Sequence, residues 1–305
     1  MHSTIAITGA TGLIGRKIVS ILSGRGDKVI VLTRSSRKAS EVFNGNIEMI
    51  EWDYKSVSPT LIHILSNAEG IIHLAGENVL KKRWSDAHKQ NIYSSRINST
   101  RLLTSALLQS TTRPSVFVSA SAVGYYGLTS DKPADENSEC GTDFLAMVVK
   151  DWENGLLPIE ETGVRTVKIR TGIVLDRNDG ALAKMILPYK FFVGGPLGSG
   201  RQPFPWVHVE DTARLFVHAL DNKLMKGSYN AVAPENITMK QFCKSLGVVM
   251  KRPSIFNVPP FALRILYGEG ADILLNGVNI IPRRTLESGF EFSYKDSISA
   301  LKSLL

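Results

Sequence analysis

The segment Thr8–Gly15 carries three glycines at regular spacing between two runs of apolar residues. The preceding run, Ile5–Ile7, is typical of a buried strand, whereas Leu13–Leu22 has the apolar spacing of a helix. Glycines allow a tight turn and a close approach of the backbone to a pyrophosphate, and the N-terminus of the following helix directs free N–H groups at the phosphates. The order of strand, glycine turn and helix therefore predicts a dinucleotide-binding unit; a glycine-rich turn without a ligand is the alternative.

Apolar runs alternate with helical patterns along the rest of the first half of the chain. We predict further strands at residues 29–32, 47–51, 71–74, 116–118 and 167–169. This alternation is typical of an α/β fold with a doubly wound parallel sheet. After about Asp176, stretches rich in glycine and proline indicate loops. We therefore predict a Rossmann-type domain at residues 1–175 and a smaller mixed substrate lobe at residues 176–305, interleaved in one compact unit with the ligand cleft between them.

Composition argues against several classes of protein. The chain has 305 residues, of which 43% are hydrophobic and 21% charged, which is ordinary for a soluble protein. No stretch approaches the roughly 18 apolar residues of a membrane span, and the first residues lack the pattern of a signal peptide. We therefore expect no membrane partner and a cytoplasmic location, with an organelle as the alternative. The net charge of +8 is not gathered with aromatic residues into a recognisable motif, so we expect no nucleic-acid partner.

The two cysteines, Cys140 and Cys243, stand far apart in the sequence. They form no spacing typical of a disulfide framework or of metal ligands. We predict isolated thiols in a reducing compartment and no metal site.

A basic cluster containing Arg34 and Arg37 follows the second predicted strand. In the predicted fold the end of this strand faces the adenosine ribose, where an acid binds the free 2′-hydroxyl of NAD and an arginine accommodates the 2′-phosphate of NADP. No acid occurs between Lys28 and Ser40. The sequence therefore predicts NADP(H), with Arg34 and Ser35 at the 2′-phosphate; a solvated loop is the alternative.

Several motifs, in their order and spacing, resemble those of the extended short-chain dehydrogenase/reductase superfamily. They are Thr8–Gly15, Asp53, His73–Asn78, Ser119–Val123 and Trp206–Asp211. Four further segments resemble an atypical branch of that superfamily, the sugar-nucleotide-epimerase-like proteins labelled "epimerase family protein". These segments are Leu187–Pro188, Gly194–Gly200, Phe204–Trp206 and Ile281–Arg284. The resemblance covers essentially the whole chain.

This resemblance implies a cofactor site and a substrate pocket. The implied NADP(H)-binding residues are Gly9, Thr11, Gly12, Leu13, Ile14, Gly15, Arg34, Ser35, Asp53, Ala75, Gly76 and Glu77. The implied substrate-pocket residues are Arg170, Trp206 and His208. The residues themselves add two structural interpretations. His73 lies in an apolar strand and is more typical of the core than of a ligand, and Asp211 is a candidate cap for a helix at residues 212–220.

The departure from the superfamily concerns proton transfer. Its members usually present a tyrosine and a lysine, four residues apart, on one helical face, and the ammonium group lowers the pKa of the phenol. No Tyr-x-x-x-Lys occurs in this chain, and the resemblance places Phe144 and Val148 at the two positions. The remaining candidates are Ser121, at the catalytic Ser/Thr position of the family, and Tyr125 or Tyr126 in the loop after the fifth strand. We expect no cation beside these tyrosines.

Two functions remain open at this stage. The first is an NADP(H)-dependent oxidoreductase or epimerase-like enzyme that acts on a small metabolite, with Tyr125 and Ser121 handling the proton. The second is a catalytically silent NADP(H)-binding sensor or interaction module. The absence of the tyrosine and lysine favours the second, whereas a dinucleotide site beside a second lobe favours the first, to which we incline. Arg201, Arg283 and Arg284 are candidates for giving the pocket a preference for anions.

Overall fold

The computed structural model describes residues 3–43 and 47–305. The strands are β1 (Thr4–Thr8), β2 (Lys28–Thr33), β3 (Glu48–Glu51), β4 (Gly70–His73), β5 (Val116–Ala122), β6 (Arg165–Thr171), β7 (Ile173–Leu175), β8 (Trp206–His208) and β9 (Gly227–Ala231). Seven of them form one parallel sheet in the order β3-β2-β1-β4-β5-β6-β9. The six predicted strands are present as β1 to β6.

Helices surround this sheet and build the second lobe. They are α1 (Leu13–Gly24), α2 (Ser36–Ser40), α3 (Pro59–Asn67), α4 (Asp86–Gln109), α5 (Phe144–Asn154), α6 (Leu157–Glu160), α7 (Gly180–Lys190), α8 (Val209–Asp221), α9 (Met239–Met250), α10 (Pro260–Tyr267), α11 (Asp272–Leu275), α12 (Arg283–Glu287) and α13 (Ser297–Leu304). Two short 3₁₀ turns occupy Val123–Tyr126 and Gly268–Ala271.

The two faces of the sheet have separate apolar cores. On one face, α1 and α8 pack together over a core that includes Ile7, Leu22 and Phe216. On the other face, α3, α4 and α6 cover Ile71 and Phe117. The strand order reverses between β1 and β4, and ligands of open α/β sheets bind outside the carboxyl ends of the strands at such a point. The architecture confirms the predicted α/β fold with a doubly wound parallel sheet.

The second half of the chain contributes to this sheet as well. β9 pairs in parallel with β6 at the sheet edge, with Tyr229 opposite Ile169. The sequence analysis does not predict β9, because Ser228 and Asn230 interrupt its apolar pattern. Asn230 is nonetheless buried, and its side-chain oxygen accepts a hydrogen bond from the Tyr126 hydroxyl at 2.7 Å. The division of the chain near residue 175 stays a prediction. Strands from before and after this position belong to the same central sheet.

A smaller lobe stands beside the sheet. β7 and β8 form a separate two-stranded parallel sheet. Residues of α7, α9 and α13 enclose an apolar core that contains Trp206, Phe242 and Leu246. β7 lies before the predicted boundary at residue 176, and the bounds of the predicted substrate lobe stay a prediction.

The start of α8 differs from the prediction. The cap of this helix is His208 and not Asp211: His208 Nδ1 accepts a hydrogen bond from the N–H of Glu210 at 3.1 Å. Asp211 lies in the first helical turn, fully buried, and its oxygens accept hydrogen bonds from the N–H groups of Ser293 and Tyr294 at 2.9 Å. These partners lie 82 and 83 residues further along the chain, so the local sequence gives no signal of this role.

Neither cysteine forms a disulfide. Cys140 is partly buried and Cys243 fully buried, and both are free thiols, as predicted. Burial raises the pKa of Cys243 to about 11, which keeps this thiol protonated at neutral pH. Within residues 3–43 and 47–305, no group of His, Cys, Asp and Glu side chains is arranged to hold a metal ion. Among the described residues, no helix has the length and apolar character needed to span a membrane.

Candidate cofactor and active site

The glycine turn between β1 and α1 is closely packed against the backbone after β4. Gly9 has a φ of +67°, and a Cβ atom there would lie 2.8 Å from the carbonyl carbon of Leu74. A Cβ on Gly15 would lie 2.5 Å from the Gly9 carbonyl oxygen and 2.6 Å from Ala10. Thr11 is exposed in the turn between them. Real Cβ atoms do not approach other atoms so closely, so glycine is required at both positions.

The N-terminus of α1 has no side-chain cap. Its N-cap residue is Gly12, and its first turn, which begins with Leu13 and Ile14, contains no acidic side chain. Other helices are capped by the side chains of Ser58, Ser85 and Asp143. The first N–H groups of α1 therefore have no side chain competing for them, and the helix dipole adds partial positive charge. These residues fit the pyrophosphate of a dinucleotide.

The predicted adenosine end lies after β2 and β3. Arg34 is exposed immediately beyond β2. Ser35 caps α2 by accepting a hydrogen bond from the N–H of Lys38 at 3.4 Å. Asp53 is exposed after β3 and accepts a hydrogen bond from the N–H of Lys55 at 2.8 Å, which shapes its own turn. The roles of Arg34 and Ser35 at the 2′-phosphate and of Asp53 at adenine stay predictions.

The tertiary structure brings an acid to this end of the site. Glu51 ends β3, and its carboxylate accepts hydrogen bonds from the N–H and the hydroxyl of Ser36 at 2.9 and 2.8 Å. These bonds lower the pKa of Glu51, so the carboxylate is ionised at neutral pH. No acid occurs between Lys28 and Ser40 in the sequence, but Glu51 contacts this segment in the folded protein.

The loop after β4 contains Ala75, Gly76 and Glu77, and the Glu77 N–H donates to the Ser95 hydroxyl oxygen at 3.0 Å. Arg96 lies against this loop: a Cβ on Gly76 would lie 3.2 Å from the Arg96 guanidinium carbon. Burial lowers the pKa of Arg96 to about 10, and the charge of Glu77 opposes this shift. Arg96 remains protonated at neutral pH and brings a positive charge to the predicted cofactor loop.

Phe144 and Val148, at the positions of the missing tyrosine and lysine, have apolar surroundings in the structure. The Phe144 ring packs edge-on against Trp84, with centroids 5.4 Å apart. Val148 lies one turn further along α5, is 2% exposed and packs in a cluster with Ile92 and Trp152. Neither side chain can exchange a proton.

A buried polar network occupies the neighbouring end of β5 and β6. The Ser121 hydroxyl donates to Glu153 Oε1 at 2.6 Å. The Arg170 guanidinium donates to both oxygens of Glu153 at 2.8 Å each, a bidentate ion pair in which both side chains are nearly buried. Burial lowers the pKa of Arg170, but the hydrogen bonds to Glu153 outweigh this effect and raise it above its ordinary value. Glu153 therefore joins the predicted catalytic Ser121 to the predicted pocket residue Arg170.

The two tyrosines after β5 have a cation beside them, contrary to the expectation from sequence. The guanidinium carbon of Arg170 lies 3.4 Å from the centroid of the Tyr125 ring. The Tyr126 hydroxyl accepts a hydrogen bond from Arg170 at 3.0 Å and donates to Asn230. Burial raises the pKa of Tyr126 to about 12, so Tyr126 is not a base at neutral pH. The expectation fails because Arg170 reaches the tyrosines across adjacent strands, 44 residues away from Tyr126 in sequence.

The other two predicted pocket residues are buried in the second lobe. Trp206 has no exposed surface, and its indole N–H has no hydrogen-bond partner among the described residues. The His208 ring stacks on Tyr294, with centroids 3.8 Å apart, and its Nε2 lies 3.2 Å from the Ser303 hydroxyl. Burial lowers the pKa of His208. Trp206 thus packs in the lobe core and His208 caps α8, and their role in a substrate pocket stays a prediction.

Two of the three arginines considered for anion binding are engaged elsewhere. Arg283 forms an ion pair with Asp135 at 3.1 Å. Arg284 donates to the carbonyl oxygens of Ser228 and Lys226 at 3.0 and 2.7 Å. Arg283 thus pairs with the segment between β5 and α5, and Arg284 binds the chain at the β9 edge. A preference of the pocket for anions stays a prediction for all three arginines.

His73 is a core residue, as predicted. It is fully buried, with Nδ1 2.7 Å from the Thr8 hydroxyl and Nε2 3.1 Å from the Thr100 hydroxyl. The Thr100 hydroxyl donates to the carbonyl of Arg96, so it accepts the Nε2 proton. Burial lowers the pKa of His73 to about 3, which keeps the ring neutral.

Two important side chains, Glu153 and Arg96, are absent from the sequence-based predictions. Each is a charged residue on the apolar face of a helix: Glu153 follows Val149 by four residues, and Arg96 follows Ile92 by four. A charge at that spacing is rarely buried without a partner. This pattern is the sequence signal that could have identified both residues.

The profile of the NAD-dependent epimerase/dehydratase family matches residues 5–144, and that of a domain of unknown function, DUF1731, matches residues 258–304. The chain is 40% identical to the chloroplastic SDR39U1 homolog of Arabidopsis thaliana, an epimerase family protein, over 99% of this chain and 86% of that protein. It is 37% identical to the epimerase family protein YfhF of Bacillus subtilis, over 99% of this chain and 97% of that protein.

Solved structures agree with these relatives. The crystal structure of human epimerase family protein SDR39U1 (isoform 2) with NADPH has a TM-score of 0.87 at 31% identity, over 99% of this chain and 98% of that one. A UDP-N-acetylglucosamine 4-epimerase from Methanobrevibacter ruminantium has a TM-score of 0.80 at 18% identity, over 99% and 97% of the two chains, and shares the fold. The chain therefore belongs to the NAD-dependent epimerase/dehydratase family, in its atypical extended short-chain dehydrogenase/reductase branch of epimerase family proteins.

Proposed function

We propose that this protein binds NADP(H) in preference to NAD(H) and acts as an oxidoreductase or epimerase-like enzyme on a small metabolite. The observation that carries the proposal is the uncapped N-terminus of α1 behind the tightly packed Gly9, with Arg34 exposed beyond β2. The human relative with 31% identity was crystallised with NADPH, which supports the same choice here. Gly9, Gly12 and Gly15 would hold the pyrophosphate, and the bound cofactor would supply the hydride.

Proton handling falls to Ser121 and Tyr125 in this proposal. A serine hydroxyl carries one proton, and that of Ser121 is donated to Glu153, so Ser121 can accept a hydrogen bond from a substrate hydroxyl but cannot also donate one. Tyr125 would be the proton donor, with its ring held by the guanidinium of Arg170. Glu153 and Arg170 would hold these two residues in position.

A catalytically silent NADP(H)-binding sensor or interaction module is the second candidate. The apolar pair Phe144 and Val148 favours it, because the usual proton relay is absent. Both candidates bind NADP(H), and only the enzyme oxidises bound NADPH when a carbonyl substrate is added. Screening carbonyl compounds by NADPH absorbance separates them, and loss of turnover in Tyr125→Phe would identify the proton donor.

The cofactor assignment is tested by titration with NADPH and NADH, followed by nicotinamide fluorescence. Arg34→Asp removes a charge-assisted contact and adds repulsion, so NADPH binding should weaken by about 100-fold while NADH binding changes little. Arg101→Asp makes the same change of charge on α4 and should leave both affinities unchanged. Equal binding of NADPH and NADH by the unmodified protein would contradict the preference for NADP(H).

A further inference from the structure

Although Lys and Arg are scattered among acids over most of the chain, two segments of its second half contain basic residues only. Residues 180–209 and 236–268 together contain eight Lys or Arg residues and no Asp or Glu. The whole chain has 36 Lys and Arg residues and 28 Asp and Glu residues. The other 28 basic residues are thus balanced by the 28 acidic ones, and the entire charge of +8 comes from these two segments.

The same segments expose an unusual amount of apolar surface. Phe191, Phe192 and Val193 follow the end of α7 and are 69%, 53% and 51% exposed. The turn is ordered: the Phe192 N–H donates to the Tyr189 carbonyl at 3.0 Å, and the Val193 N–H donates to the Pro188 carbonyl at 3.0 Å. Three consecutive exposed apolar side chains in an ordered turn indicate a surface that contacts another apolar medium.

Neighbouring residues extend this surface. The N–H groups of Ile255 and Phe256, both exposed, donate to the Gly194 carbonyl, which places them beside the α7 turn. The exposed face of α10 carries Phe261, Ile265 and Leu266. Lys184 of α7 lies 5.7 Å from the Tyr267 ring at the end of α10, so the two helices are neighbours. We call the Phe191–Val193 turn, the Ile255–Phe256 pair and this face of α10 the apolar rim.

Cations flank the apolar rim. Lys190 and Lys251 are exposed next to it in sequence. The Arg252 guanidinium carbon lies 4.3 Å from the Phe192 ring centroid. Basic side chains around exposed aromatic and aliphatic residues are the pattern of proteins that lie on anionic lipid surfaces: the apolar groups enter the headgroup boundary and the cations contact the lipid charges.

We propose that the apolar rim binds the surface of an anionic lipid membrane. A second copy of this chain is a poor occupant, because pairing the rims would bring together two pairs of basic segments that contain no acid. Nucleic acid matches the charge but not the aliphatic side chains, since bases stack on aromatic rings. The sequence-based expectation of no membrane partner rested on the absence of a spanning segment, and this proposal departs from it because binding at a membrane surface requires none.

Vesicle flotation tests the proposal with the full chain. We expect the protein to float with mixed phosphatidylcholine–phosphatidylglycerol vesicles, much less with phosphatidylcholine alone, and less as salt is added. The double variant Phe191→Ser/Phe192→Asn should weaken binding by about tenfold; asparagine suits the φ of +62° at position 192. Lys190→Glu and Lys251→Glu should each weaken vesicle binding by about fivefold or more. Each lysine near an anionic membrane surface contributes about 1 kcal/mol to binding, and the new carboxylate adds repulsion.

The matched controls lie in the turn before β9. Leu224 is 91% exposed and Lys223 is exposed, so Leu224→Ser and Lys223→Glu repeat the two kinds of change outside the two basic segments. They should leave vesicle binding unchanged, and thermal unfolding should show that all variants remain folded. Absence of binding to anionic vesicles, or equal loss in rim and control variants, would overturn the proposal. Binding of single-stranded RNA or a concentration-dependent dimer, without vesicle binding, would overturn it in favour of those occupants.

Discussion

The dinucleotide end of the candidate site is built mainly from backbone, whereas the proton-transfer end is built from side chains. At the first end, the N-terminus of α1 offers N–H groups without a side-chain cap, and the space that a Cβ on Gly9 would need is taken by the chain after β4. At the second end, Ser121, Glu153 and Arg170 meet through their side chains. A site formed by closely packed backbone tolerates few substitutions, because any side chain larger than glycine clashes. A site formed by side chains can change one residue at a time. The comparison explains why the superfamily motif is intact at one end and absent at the other.

The sharpest test of this contrast places a lysine where the superfamily has one. Val148→Lys buries an ammonium group among Ile92 and Trp152 and should lower the free energy of unfolding by about 5 kcal/mol. Met147→Lys, next to it but 47% exposed, should change the free energy little. Urea unfolding measures both. Similar effects of the two lysines would mean that the proton-transfer end is open to water and that the apolar pair is not a barrier to the usual motif.

A second test breaks the polar network that occupies this end. Glu153→Ala leaves the Arg170 guanidinium buried without its partner and should cost about 3–5 kcal/mol of unfolding free energy. The control is Glu48→Ala, which removes an ion pair with Lys28 whose side chains are 43% and 61% exposed, and should cost at most about 1 kcal/mol. Equal costs in denaturant titrations would show that the network is not a buried unit.

A third test concerns the backbone end. Gly9→Ala combines a positive φ with a close contact to Leu74, so we expect a loss of about 2–3 kcal/mol in unfolding free energy together with loss of NADPH binding. Gly24→Ala, where a Cβ meets nothing within 4 Å, should be neutral or slightly stabilising. If Gly9→Ala bound NADPH normally, the turn would not be the phosphate site.

A fourth test concerns the strand beneath the glycine turn. The pKa of His73 falls from 6.5 to about 3 on burial, so the unfolded chain binds one more proton than the folded chain between these values. The stability contribution is complete above pH 6.5 and is lost as the pH falls toward 3, by at most about 1.4 kcal/mol per pH unit. His73→Gln should remove this part of the slope of unfolding free energy against pH. An unchanged slope would contradict the buried neutral ring.

Sequence patterns predicted the features that depend on neighbours along the chain. The glycine spacing, the six strands β1 to β6 and the core position of His73 all follow from local periodicity, and the structure confirms them. The patterns did not predict β9, the helix cap at His208 or the contact of the Arg170 guanidinium with the Tyr125 ring, because each depends on a partner in another element. Arg170 and Tyr125, for example, lie on β6 and on the turn after β5, and only the pairing of β5 with β6 brings them together.

The sequence by itself determined the fold class and the form of the glycine turn, because the patterns of strand, turn and helix follow one another directly along the chain. It also determined that the tyrosine and lysine of the superfamily are missing. Only the tertiary structure decided that Ser121, Glu153 and Arg170 form one network, and that Glu51 binds Ser36. The physical reason is that hydrogen bonds and ion pairs act over a few ångströms in space, and parallel strands place residues tens of positions apart within that distance.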